Sequence, residues 1–321
     1  MRIKRLIVRI LLGAVAVVAP VAAGAQYPEG PITVVVPNNP GGSTDRVARL
    51  FSDAIQEGLN VPVTVTNMPG GGTSVGARFV MESPADGQTV LMVHQALMTA
   101  GATGISDFGA EAFEPVAITG VDPSIIIVRA DSEYATLTDL METIAERPGE
   151  VTAGVNIGAL NHFALMAVEA AAGGGFRFVH TGGGGPSTTA LLGGHIDATY
   201  LTLSDAMQYH ESGDLRILAV FLPERHVAAP DLPTAVEQGY DLVLPIKHIW
   251  WMPVGTPEDR VAAFAAALEA AMVDPRIEQT FAESLTVPRF VQGEELDEEV
   301  QSEYARIQEM AATADLEPSA N

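Results

Sequence analysis

The sequence predicts an α/β protein of two lobes, each a mostly parallel sheet flanked by helices, joined by strands that cross between them. Three observations carry this. Strand, glycine turn and helix alternate along the chain, the pattern of parallel strands covered by crossover helices. The alternation runs to about residue 93, breaks in a loop-rich stretch and restarts near residue 125. Once a leader-like segment is set aside, 296 residues remain, which divide more naturally into two domains than one.

The leader comes first. Arg2, Lys4, Arg5 and Arg9 form a basic head, residues 10–19 a short apolar run, and Ala23-Gly24-Ala25 a small-residue cleavage site before Gln26. This reads as an export signal, 1–25, too short in its apolar part for a spanning helix. The chain has no cysteine, so neither lipid attachment nor a disulfide framework is expected.

Residues 32–36 read as a β-branched strand ended by Pro37, and Val47, Leu50, Phe51, Ala54 and Ile55 recur at helical spacing. Residues 61–66 and 89–93 read as further strands around a helix opening at Ser74. The second unit repeats the pattern, with strands at 125–128, 151–155, 176–179, 198–203 and 216–220 and helices at 137–146, 159–172 and 187–192. Near the C-terminus Leu296, Val300, Tyr304, Ile307 and Ala311 step by three or four, with acids between them, as on a covering helix. The expected lobes are 26–122 with 223–321, and 123–222.

Charge narrows the function. Without the leader, 13 basic side chains face 40 acidic ones, a formal charge near −27. Nucleic acid and anionic membrane surfaces are poor partners for such a chain. A small anion is not excluded, because backbone N–H groups can build a local pocket whatever the outer surface carries.

Four turns carry the candidate chemistry. Asn38, Gly41, Gly42, Ser43, Thr44 and Asp45 lie between a strand end and a helix start, where free N–H groups suit a carboxylate or phosphate. Asp45 could instead satisfy those N–H groups itself. Gly71, Gly72 and Thr73 form a second glycine turn, without the Gly-Lys-Ser/Thr ending of a nucleotide loop or the spacing of a dinucleotide fingerprint. Both turns point to the carboxyl edge of an open parallel sheet, where ligands bind. The second lobe offers Asn156, Gly158, Ala159, Asn161 and His162, and then Thr181, Gly182 and Gly183. His162 either begins its helix or meets ligand, and Asp197 either fixes a loop or meets a ligand amine or hydroxyl. Lys247, the only lysine after Lys4, and Trp250 are further candidates for the pocket.

Enzyme readings are weaker. The seven histidines are dispersed without metal-site spacing, and there is no Gly-x-Ser-x-Gly elbow. A secreted hydrolase built on Ser43, Asp45 and a remote histidine is the alternative. No cofactor is expected.

Ordered motifs add a resemblance. Pro31-Ile32-Thr33-Val34-Val35-Val36-Pro37 with Pro40-Gly41-Gly42-Ser43-Thr44-Asp45, then Asn67-Met68-Pro69-Gly70-Gly71-Gly72, Pro84-Ala85-Asp86-Gly87, Leu192-Gly193-Gly194-His195-Ile196-Asp197 and Pro253-Val254-Gly255-Thr256-Pro257 follow in series. The chain resembles the periplasmic solute-binding receptors of tripartite tricarboxylate transporters, the TctC or Bug family. The resemblance implies a type II-like periplasmic binding protein fold, a small carboxylate ligand, and delivery to a membrane permease of one large and one small subunit. A monomer in the periplasm is expected. Asn38 stands where such receptors usually have an apolar residue, and His180-Thr181-Gly182 replaces a frequent Pro-Tyr-Lys, so no relative's substrate carries over.

Overall fold

A computed structural model describes residues 27–314, so the export signal expected at 1–25 lies outside the described residues. The first unit comprises β1 (Ile32–Val36), α1 (Ser43–Leu59), β2 (Val63–Asn67), α2 (Ser74–Met81), β3 (Thr89–Met92), α3 (Ala96–Ala102) and β4 (Phe113–Asp122). After Pro123 come β5 (Ser124–Arg129), α4 (Leu137–Glu146), β6 (Thr152–Val155), α5 (Leu160–Ala172), β7 (Arg177–His180), α6 (Gly184–Leu192), β8 (Ala198–Thr202), α7 (Leu203–Glu211) and β9 (Leu215–Val220). The chain then returns through β10 (Ile246–Pro253), α8 (Glu258–Ala271), α9 (Pro275–Glu283), β11 (Val287–Val291) and α10 (Glu294–Thr313).

These strands make two sheets, ordered β11-β4-β10-β3-β1-β2 and β7-β6-β8-β5-β9. Each has a parallel half, β2-β1-β3 in one and β7-β6-β8 in the other. Each also takes one antiparallel strand that has just crossed from the other lobe, β10 between β3 and β4, and β5 between β8 and β9. The two lobes therefore repeat one strand order.

Burial explains the elements. In α1, Val47, Phe51 and Ile55 fall on one face and are buried against Val34, Val36 and Trp250 of the first sheet. The helix ends where Asn60 takes a left-handed conformation, φ 54°. On the sheet's other face Val35, Leu91 and Trp251 pack with α2, α3 and α10. In the second lobe Ile126, Val128, Leu140, Leu165 and Tyr200 share a core with Phe221, Ala235 and Leu242 from the return stretch.

The largest departure from the sequence pattern is β4, which falls in the stretch read as loop. Pro115 and Gly120 interrupt its apolar run, but pairing with β10 and β11 on its two sides makes it a buried strand. Helix α6 starts at Gly184 rather than Ser187. Its first turn lends no N–H to the helix ladder, so Pro186 is tolerated there.

Candidate functional site

The four predicted turns all lie at carboxyl ends of parallel strands, β1, β2, β6 and β7. The second and third approach one another across the lobes. A methyl group placed on Gly158 would stand 3.6 Å from Thr103 Cγ2 and 3.8 Å from Ile105 Cδ1, and one on Gly72 would stand 3.1 Å from Ile105 Cγ2. Ile105 thus touches a turn of each lobe.

The helices that leave these turns, α1, α2, α5 and α6, begin at Gly42, Thr73, Ala159 and Gly183 with no side-chain cap. Thr136, Thr202 and Asp274 cap α4, α7 and α9, while α3, α8 and α10 also start without a side-chain cap. Uncapped first turns present N–H groups and the positive end of the helix dipole. The second turn adds a run of left-handed residues, Gly71 at φ 53°, Gly72 at 58° and Thr73 at 88°. Within this turn Thr73 N–H donates back to Gly70 O at 3.1 Å, and turn N–H groups such as those of Gly71 and Gly72 suit an anion. A β-branched residue rarely adopts this backbone, and Thr73 holds it with its Oγ1 buried and unpartnered.

Side chains of the first turn divide into support and surface. Asp45 is buried and accepts from Gly41 N–H at 2.8 Å, Asn67 Nδ2 at 2.9 Å and Arg49 Nε at 3.1 Å. Burial alone would raise its pKa, but Arg49, Gly41 and Asn67 together hold the carboxyl below its usual range. Asp45 pins the turn instead of meeting a ligand. Arg46 donates to Gly41 O, Arg49 also donates to Asn67, and Arg78 pairs with Asp107. These cations stitch the scaffold. Gly42 is exposed, and Ser43 and Thr44 are partly so.

Ser43 Oγ donates to Asp122, the last residue of β4, at 2.9 Å. Thr286 Oγ1 donates to the same carboxylate at 2.7 Å, and His248 Nε2 lies 3.0 Å away without linear hydrogen-bond geometry. Burial would raise the Asp122 pKa, yet His248, Thr286 and Ser43 outweigh it and hold it at about 2. The order is serine–carboxylate–histidine, so no base activates the Ser43 hydroxyl as a hydrolase would require. His94, at the carboxyl end of β3, is pushed down to about 4 by burial and by His248, against the pull of Asp122. It is therefore neutral at neutral pH. Sequence reading passed over Asp122, His94 and His248 as site residues, because they meet only through strand register.

In the second lobe Asn161 Oδ1 accepts from Asn156 N–H and His180 Nδ1 from Ile157 N–H. His162 is buried, accepts from Gly158 N–H at 3.2 Å and stacks edge-on to Phe178, its ring centroid 4.5 Å away. Burial drives its pKa down to about 4, and through Gly158 N–H it braces the turn from within. The Thr181 hydroxyl is shared with Ser187 and Val155 O. Gly182 and Gly183 have open space where a side chain would stand. Asp197 is a further correction. It sits at the amino ends of β6 and β8, opposite the turns, where it accepts from Thr152 N–H at 2.8 Å and Thr152 Oγ1 at 2.6 Å.

Lys247 and Trp250 are likewise structural. Lys247 is buried between Glu299 and Glu303 of α10, and Trp250 is fully buried with Nε1 donating to Thr119. Among the described residues no cluster of three or more histidines, cysteines or acids is placed to hold a metal, and no helix is long and apolar enough to cross a membrane.

A model of the tripartite tricarboxylate transporter family receptor, TctC, matches residues 47–316. The chain belongs to this family. It is a periplasmic solute-binding receptor, not an enzyme. A protein encoded in the TAR-I ttuE-ttuC' intergenic region of Agrobacterium vitis is 30% identical over 93% of this chain and 89% of its own length. A TctC solute binding protein from Polaromonas superposes with a TM-score of 0.79 at 26% identity, covering 90% of this receptor and 100% of its own chain. MatC from Rhodopseudomonas palustris, solved with bound malate, shares the fold at a TM-score of 0.71 and 24% identity, over 89% of the receptor and 100% of MatC.

Proposed function

We propose that this receptor captures a small carboxylate between its two lobes and hands it to a membrane permease of one large and one small subunit. The observation that carries the reading is the set of four uncapped helix starts at the carboxyl edges of the two parallel half-sheets. The ligand carboxylate would sit on the N–H groups of Gly42, Ser43 and Thr44 and in the turn of Gly71, Gly72 and Thr73. Asn156, Gly158 and Ala159, with Gly182 and Gly183, would close over it from the second lobe. A hydrogen bond to a charged group contributes about 1.5–3 kcal/mol, so several together offset removing the anion from water. The malate held by MatC is a ligand of this size class.

We place the hinge at Pro123 on the outward crossing and at Leu244–Ile246 on the return, not at 222–223. Leu244 O accepts from both Ser124 and Tyr200, and Phe221 packs in the second core. Calorimetric titration of ligand-stripped protein with C4–C6 di- and tricarboxylates, acidic amino acids and aromatic acids tests the reading. Binding of one class, lost when Gly72 is replaced by valine, is expected. Silence across the panel would overturn it.

A further inference from the structure

We propose that the row Asn38, His94 and His248 beneath the start of α1 is a subsite for a hydroxyl on the carbon chain of the bound carboxylate. This rests on the carboxylate reading above and narrows it to hydroxy acids. The row follows from register. Continuing β1–β3 pairing past Val35↔Leu91 sets Asn38 beside His94, and continuing β3–β10 pairing past Trp250↔Met92 sets His248 on its other side. On the β10 side the pairing does persist, since Val93 N–H donates to Ile249 O at 3.1 Å, while on the other side β1 ends at Val36 and Asn38 lies in the bend that follows Pro37. Neighbouring strands are spaced about 4.8 Å apart, which a single hydroxyl bridges with two hydrogen bonds.

Side chains alternate along a strand, which puts His94 and His248 on the face of Met92 and Trp250, the one covered by α1, and the His248 ring lies 6.1 Å from Phe281 of that same core. They therefore lie under the same first turn whose Ser43 reaches down to Asp122.

Unmet hydrogen bonds mark the spot. Asn38 Oδ1 and His248 Nδ1 are buried without a partner, while His248 Nε2 faces Asp122 Oδ2 at 3.0 Å and the residue is only 3% exposed. Buried polar atoms in this state are rare and point to a guest. His94 Nδ1 accepts from Ala96 N–H at 3.2 Å, so in the neutral ring the proton lies on Nε2. A ligand hydroxyl can accept from His94 Nε2–H and donate to Asn38 Oδ1. Asp122 stays behind the row, already engaged by Ser43 and Thr286. A second carboxylate would fit poorly there, because Asn38 Oδ1 and Asp122 both repel it. A hydroxyl presents the donor they lack.

The test compares acids that differ by one hydroxyl: succinate with malate, glutarate with 2-hydroxyglutarate, tricarballylate with citrate. Each is titrated calorimetrically into ligand-stripped wild-type receptor and into the Asn38→Ser and His94→Asn variants. Asparagine at 94 keeps an acceptor for Ala96 N–H but removes the Nε2 donor. In at least one pair the hydroxy acid is expected to bind wild type about tenfold or more tightly than its plain partner. That ratio should fall below about threefold in His94→Asn, with the plain acid's affinity retained. Equal wild-type affinities within every pair would overturn the subsite and leave the carboxylate reading standing. A preference that survives in both variants would overturn it too. No binding by any of the six acids would remove both. The wild-type comparison decides even where a variant fails to fold.

Discussion

Replacing Asp122 by asparagine isolates the network that ties the ligand turn to the hinge. The side chain is 6% exposed and accepts from Ser43 and Thr286 beside His248. Its folded-state pKa is about 2 against an ordinary 3.8, which corresponds to about 2 kcal/mol of stability contributed by the ionised form. Because the folded pKa is depressed, that contribution is complete above about pH 4 and fades as pH falls through 2. Asp122→Asn should therefore lower unfolding free energy by about 2 kcal/mol at pH 7 and by roughly half as much at pH 3. Denaturant titrations followed by the fluorescence of Trp250 and Trp251, both fully buried, measure the difference at each pH. Comparing variant with wild type cancels the acid response shared by the other carboxyl groups. A deficit that is the same at pH 7 and pH 3, or none at pH 7, would refute the argument.

Asp197→Ala removes the clamp on Thr152 and should cost about 1–3 kcal/mol of stability, with ligand affinity by calorimetry unchanged. Lys247→Met leaves Glu299 and Glu303 without their shared cation, and a midpoint shift equivalent to about 3 kcal/mol in denaturant is expected. Glu169 behaves in the opposite sense to Asp122, since burial raises its pKa to about 7 despite the Phe176 N–H. Its ionisation opposes folding, so wild-type stability should decline between about pH 4.5 and 7. Glu169→Gln should gain about 1–2 kcal/mol over wild type at pH 8, after allowance for solvent screening of this half-buried group. Thermal melts at pH 5 and pH 8 would show a gap that widens with pH, and a constant gap would count against the assignment.

Much of the site was legible because its chemistry is local. A strand end, adjacent glycines and a helix start within ten residues announce a turn that needs open backbone, and residues 37–45 and 67–76 both do so. What was hidden depends on distance along the chain. His94 and His248 are separated by the whole second lobe, and only the insertion of β10 beside β3 makes them neighbours. Acids were ambiguous for a different reason. Asp45 and Asp197 each follow a glycine-containing turn, and only the structure reveals that one folds back on its own N–H groups and the other faces the far edge of the sheet. Strand β4 escaped notice because a strand paired on both sides needs no polar alternation, and Pro115 and Gly120 mask what remains.

The placement of β10 also orders events in time. Synthesis delivers β1 to β4 first, but the central position between β3 and β4 stays vacant until residues 246–253 arrive. The second sheet, its strands all lying between Ser124 and Val220, has no such wait. During export the younger lobe can mature while the older one remains an open pair of sheet fragments, its unpaired edges exposed to wrong partners. Completion of the first sheet thus waits for two late strands, β10 and then β11, and the first of them carries His248. A receptor assembled this way acquires its binding site only when its chain is nearly complete.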